Sequence, residues 1–101
     1  MKFRIKHVEA QGRYVPQVWD GAASGLWGEW KTIRRFAPGH GFWAYSRQQI
    51  IDAGMNPATG YVSAEEARRA CEDYERWART GEEPGVSYDY FDIPQAEDAG
   101  N

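Results

Sequence analysis

SAEEARRACEDYERWARTG, residues 63–81, decides the fold. Ser63 stands where a helix N-cap belongs, and Glu66, three residues on, completes a capping-box pattern. Gly81 stands where a left-handed C-terminal cap belongs. Between them Ala67, Ala70, Cys71, Tyr74, Trp77 and Ala78 fall within about 120° of a wheel turned by 100° per residue. From Glu65 onward the remaining positions are polar or charged. The spacing predicts an amphipathic helix over 64–80, with one narrow apolar stripe made largely of small residues. Such a stripe lets a helix lie close against a sheet. Glu65–Arg69, Glu72–Arg76 and Glu75–Arg79 are four apart in the favourable order, each worth roughly 0.2–0.5 kcal/mol.

The sheet this helix needs is read outward from it. In residues 2–8, Phe3 and Ile5 alternate with Lys2, Arg4 and Lys6, the period of a half-buried strand. Gln11-Gly12 supplies a hairpin turn, and Tyr14–Trp19 is the returning strand. Pro16 cannot donate to a ladder, so this strand is expected at an edge or with a bulge. Residues 20–25 (DGAASG) read as a loop, residues 27–36 as a third strand, and 37–41 (APGHG) as a turn. In the third strand Trp30 and Ile33 fall on opposite faces unless a bulge shifts them. Residues 42–45 form a short aromatic strand. Ser46 and Gln49 make a second capping box for a short helix ending near Gly54, and 56–60 (NPATG) is a turn. Val86–Ile93 (VSYDYFDI) alternates again and reads as a last strand ended by Pro94. The fold class is therefore α+β: an antiparallel sheet of three to five strands packed on one long amphipathic helix, with a short second helix. Residues 1–94 are expected to form a single domain, and 95–101 a flexible acidic tail.

Charge is divided along the chain. Residues 1–51 hold eight Lys/Arg against three Asp/Glu, net +5; residues 52–101 hold four Arg against twelve Asp/Glu, net −8. Four of the five tryptophans, Trp19, Trp27, Trp30 and Trp43, lie in the basic half. Asymmetry of this kind points to partners rather than to fold. The single cysteine, Cys71, cannot form an internal disulfide, which fits a reducing compartment. The opening residues lack the apolar run of a secretory signal, and no stretch approaches a membrane helix. A cytoplasmic protein without membrane partners is expected.

The candidate chemistry is thin. His7 and His40 lack the closely spaced companions of a zinc site. Cys71 lies on the apolar stripe, where a small buried hydrophobe is expected rather than a nucleophile. Residues 38–41 (PGHG) are Gly-rich but lack the Gly-Lys-Ser/Thr ending of a phosphate loop. Glu65–Glu66 and Glu82–Glu83 sit on a solvated face and in an exit loop, where nothing separates their pKa values. No catalytic residue, metal site or cofactor is expected, and the chain reads as a non-enzyme.

Two binding surfaces stand out instead. Trp27, Trp30, Phe36, Phe42, Trp43 and Tyr45 interleave with Lys31, Arg34, Arg35 and Arg47. Exposed aromatics stack on bases while Lys and Arg hold the backbone, but the same aromatics can simply form the core under the helix. The acidic half, with Glu72, Asp73, Glu82 and Glu83, can steer the protein onto a basic partner, or merely solubilise it. The candidate partner-binding residues are Trp27, Trp30, Arg34, Arg35, Trp43, Tyr45, Glu72, Asp73, Glu82 and Glu83.

Tyr14-Val-Pro-Gln-Val-Trp19, Trp30-Lys-Thr-Ile33 and Tyr61-Val-Ser-Ala-Glu-Glu-Ala67 together resemble the layout of small accessory proteins carried by phages and prophages. The resemblance implies a non-enzymatic inhibitor or modulator of a host protein or complex, of the anti-defence, anti-CRISPR-like kind. That host target could itself bind nucleic acid. No residue role carries over, because no family-specific motif is matched. The leading expectation is accordingly a protein-binding module in a host–virus interaction. The alternative is single-stranded nucleic-acid binding through the basic aromatic half. A homodimer through exposed aromatics on an edge strand is a further option.

Overall fold

A computed structural model of the chain describes residues 1–24, 27–54 and 60–94, with the side chains of 22–24 and 27 left aside. The expected acidic tail at 95–101 and all but the last residue of the turn at 56–60 lie outside the described residues. Four strands, β1 (Phe3–Val8), β2 (Arg13–Ser24), β3 (Trp27–Ile33) and β4 (Ala44–Tyr45), form one antiparallel sheet in the order β1-β2-β3-β4. A short helix, α1 (Arg47–Asp52), and the long helix, α2 (Ala64–Thr80), complete the α+β architecture.

The helix limits follow their caps. Ser46 Oγ accepts from Gln49 N–H, and the Gln49 side chain accepts from Ser46 N–H, a complete capping box opening α1. Ser63 Oγ accepts from Glu66 N–H to open α2, and Gly81, at φ 78°, closes it. Ala67, Ala70 and Cys71 are buried and Tyr74 and Trp77 half-buried; Ala78, expected on the stripe, is exposed. Glu65–Arg69 and Glu75–Arg79 pair as the spacing predicts. Glu72–Arg76 does not: Arg76 turns to Glu82 at 2.8 Å, and Glu72 lies 3.7 Å from Arg68.

Pairing gives each sheet face its residues. Phe3 lies opposite Val18, and Val18 opposite Lys31, so Phe3, Ile5, Val18, Lys31 and Ile33 share one face. That face meets α2. Val18, Ile33, Phe42 and Cys71 are its buried core, ringed by Phe3, Phe36, Ala44, Tyr74 and Trp77. Phe42 is the hub, with ring centres 5.2 Å from Phe36, 5.7 Å from Tyr74 and 5.8 Å from Trp77. Trp30 and Ile33 do fall on opposite faces, as plain alternation requires.

Three expectations are corrected. Pro16 lies in a central strand and in regular register with Ile5, without a bulge. Trp19 N–H bonds to Lys2 O, so the odd residues of β2 turn their backbone groups to β1 and the even ones away from it. Pro16 is even, and the contiguous β2–β3 register ends at Gln17↔Thr32, just short of it. Beyond it Tyr14 changes partner and exchanges two 2.8 Å bonds with Tyr61. The missing N–H thus falls in the gap between two pairings. Residues 20–24, read as loop, continue β2 through a register shift between Asp20 and Ser24. Finally, residues 86–93 form no strand; their alternation is present but no sheet edge pairs with it.

Candidate functional site

The face of the sheet turned away from α2 gathers the basic and aromatic residues. Alternation places Arg4 and Lys6 of β1, Arg13, Val15, Gln17 and Trp19 of β2, and Gly28, Trp30 and Thr32 of β3 on this side, with Lys2 beside Trp19; Val15, Gln17 and Thr32 of this set are buried. None of these positions carries a carboxylate. Asp20 and Glu29 point to the helix side, where Asp20 pairs with Lys31 at 2.8 Å. That hydrogen bond is the main reason the Lys31 ammonium is held above its ordinary range.

A polar chain across three strands fixes the cationic side. Arg4 Nε donates to Gln17 Oε1 at 2.6 Å, and Gln17 Nε2 donates to Thr32 Oγ1 at 3.3 Å. Gln17 and Thr32 are buried, so the chain satisfies amide and hydroxyl groups that would otherwise be costly. Anchored in this way, the Arg4 guanidinium lies 4.4 Å from the Trp30 ring centre, with Lys2 Nζ at 5.9 Å. Trp19 meets Trp30 edge to face at 5.3 Å. It can lie so flat only because the neighbour beneath is Gly28: a Cβ there would stand 2.3 Å from Trp19 Cζ2. Trp19 remains 39% exposed.

Of the ten residues selected from sequence, four belong to this face. Trp30 is central. The β3–β4 register puts Tyr45 opposite Thr32, and the Arg34 N–H bond to Trp43 O extends that pairing to Arg34 and Trp43. The Trp27 side chain lies outside the described residues. Arg35 is engaged on the opposite side: it covers the Tyr61 ring at 4.1 Å and donates from Nη2 to Gly60 O at 3.4 Å. Burial pushes the Tyr61 hydroxyl up, against the pull of Arg35.

The four acidic candidates do not converge. Glu72 lies beside Arg68 on α2, and Asp73 one position on. Glu82 accepts from the Tyr90 hydroxyl and from Arg76, which together hold its carboxyl below the ordinary range. Glu83 offers its N–H to Tyr88 Oη at 2.9 Å. Sequence reasoning left Lys2, Arg4, Lys6 and Trp19 out of the site. The signal was present in the alternation of residues 2–6, which already put the three cations on one side.

Cys71 belongs to the core under α2. It is buried, and desolvation pushes its thiol from 9.0 to about 11. The folded state holds this proton more tightly than the unfolded chain. The resulting stability is present in full below about pH 9 and is lost as pH rises towards 11. Thermal unfolding followed from neutral pH upward should show a loss of stability beginning near pH 9, and a shallower one in Cys71→Ala. Equal alkaline slopes in the two proteins would contradict this assignment.

Among the described residues, no helix is long and apolar enough to cross a membrane. No protein-family model, curated protein or solved structure matches the chain at a significant level.

Proposed function

We propose that this chain is a non-catalytic binding module whose outer sheet face takes up single-stranded nucleic acid. The observation behind this reading is the Trp19–Trp30 pair set among Lys2, Arg4 and Lys6 on a face whose strand positions carry no carboxylate. The exposed Trp19 indole, and the Arg4 guanidinium plane beside the half-buried Trp30, offer stacking surfaces for unpaired bases of any sequence, and the flanking cations neutralise phosphates. The net charge of −3 does not oppose this. Most carboxylates lie on α2 and the segment beyond it, and Glu72 and Glu75, which approach β1, do so on the helix side of the sheet.

The test is a fluorescence titration of the full chain with a single-stranded oligonucleotide at several salt concentrations. Neutralising three or four phosphates gives a slope of log K against log salt of about −2 to −3, at roughly 0.7 per phosphate. Trp30→Ala is expected to weaken binding about 5- to 150-fold, the equivalent of about 1–3 kcal/mol for one stacked base. Absence of binding at every salt concentration overturns the proposal.

A second reading, a phage-encoded inhibitor of a host protein, rests on Trp43. This residue is 52% exposed and stands beside Arg34, and Trp and Arg are the commonest anchors of protein interfaces. It predicts a specific host protein in an affinity pull-down both with and without nuclease treatment. Recovery that disappears with nuclease excludes it.

A further inference from the structure

We infer that residues 86–93 of one copy add as a fifth strand to the open edge of β1 in a second copy, reciprocally, so that the chain is a two-fold homodimer. The segment has the alternation of a strand yet makes no ladder among the described residues. Its large side chains are left in solvent: Tyr90 is 78%, Phe91 79% and Ile93 75% exposed. Such a row of unpaired apolar residues marks an interaction site.

The segment is also held in position. Tyr88 Oη accepts from Glu83 N–H, the Tyr90 hydroxyl donates to Glu82, and Arg76 fixes Glu82 from α2. The two tyrosine rings lie nearly parallel, 17° apart. These contacts secure the even-numbered side of the arm. The odd-numbered side, Phe91 and Ile93, is presented free. An arm tethered in this way loses less conformational entropy on docking.

The receiving surface matches on three counts. β1 is an edge strand paired only with β2. Because Trp19 N–H bonds to Lys2 O, the backbone groups of Phe3, Ile5 and His7 turn outward to the open edge. Below that edge, between β1 and α2, runs a groove of about 530 Å³ floored by Phe3, Ile5 and Cys71. A strand added there sets Phe91 and Ile93 over this groove, on the same face as Phe3 and Ile5. The charges agree as well. Asp92, on the arm's even side, comes beside Arg4 and Lys6, while the groove's own carboxylates, Glu72 and Glu75, are taken up by Arg68 and Arg79. Each copy has one such arm and one such edge, so mutual exchange closes the assembly.

Sedimentation equilibrium of the nucleic-acid-free full chain tests the inference. The unmodified chain is expected to be a dimer. The double substitution Phe91→Asp/Ile93→Asp changes only exposed side chains, so it should give a monomer with an unchanged far-UV spectrum. His7→Pro removes an outward N–H of exposed β1 without removing a β1–β2 hydrogen bond, and should also give a monomer. An unmodified chain that stays monomeric at every concentration overturns the inference, as does a dimer that survives either variant. None of these outcomes depends on nucleic-acid binding, which is measured separately.

Discussion

Phe42→Ala is expected to lower the free energy of unfolding by about 3–5 kcal/mol, the range for truncating a buried aromatic. Phe42 is 6% exposed and its ring touches Phe36, Tyr74 and Trp77. It therefore joins the loop after β3 to the C-terminal half of α2. Neighbouring rings are too rigid to fill the space it would leave. In a domain of this size stability is of the order of 5–15 kcal/mol, so the loss is a large part of the whole. At about 4–8 °C per kcal/mol, the midpoint of thermal unfolding should fall by at least 12 °C or so. A shift of only a few degrees would mean that α2 does not rest on this ring.

Gly60→Ala is expected to cost about 3–5 kcal/mol, although it adds one methyl group. A Cβ at position 60 would stand 2.4 Å from Tyr14 O and 2.9 Å from Tyr14 C. These are backbone atoms of a strand held by β1 on its other side, so they cannot give way. Relief requires residues 60–61 to leave β2, with loss of both Tyr14–Tyr61 hydrogen bonds and the Arg35 contact to Gly60 O. Two hydrogen bonds are worth about 1 kcal/mol each, and overpacking adds about 1–3 kcal/mol. Gly28→Ala is the contrasting case: there the obstacle is the exposed Trp19 side chain, which can swing aside. Urea denaturation of both variants measures the difference. Equal, small losses would show that the Tyr14–Tyr61 pairing contributes little.

The helices were legible because their signals are local. Ser46 with Gln49, Ser63 and Gly81 each satisfy groups within one turn, and no tertiary contact is needed to read them. The alternation of residues 3–8 was legible for the same reason. What alternation does not tell is which side meets the helix, or whether an edge is available. Residues 86–93 carry the strand pattern but pair with no strand among the described residues. Pro16 was placed wrongly because its tolerance in a central strand depends on where β3 stops and Tyr61 begins. The aromatic residues divided between two roles for a similar reason. Phe36 and Phe42 went to the core, while Trp19, Trp30 and Trp43 went to the other face, a sorting decided by pairing register. The site was half legible: Trp30 could be named, but its companions Arg4 and Lys2 approach it only across β2.

The strand order β1-β2-β3-β4 has a kinetic consequence. Each strand pairs with its neighbour in the chain, so the sheet assembles by closing short loops, which costs little entropy. Contacts between distant parts of the sequence enter mainly when α2 docks and Tyr74 reaches Phe3 and Phe42. The sheet can therefore form early and the helix settle late. On that sequence of events the stability lost in Phe42→Ala falls chiefly on the rate of unfolding and leaves the rate of folding nearly unchanged.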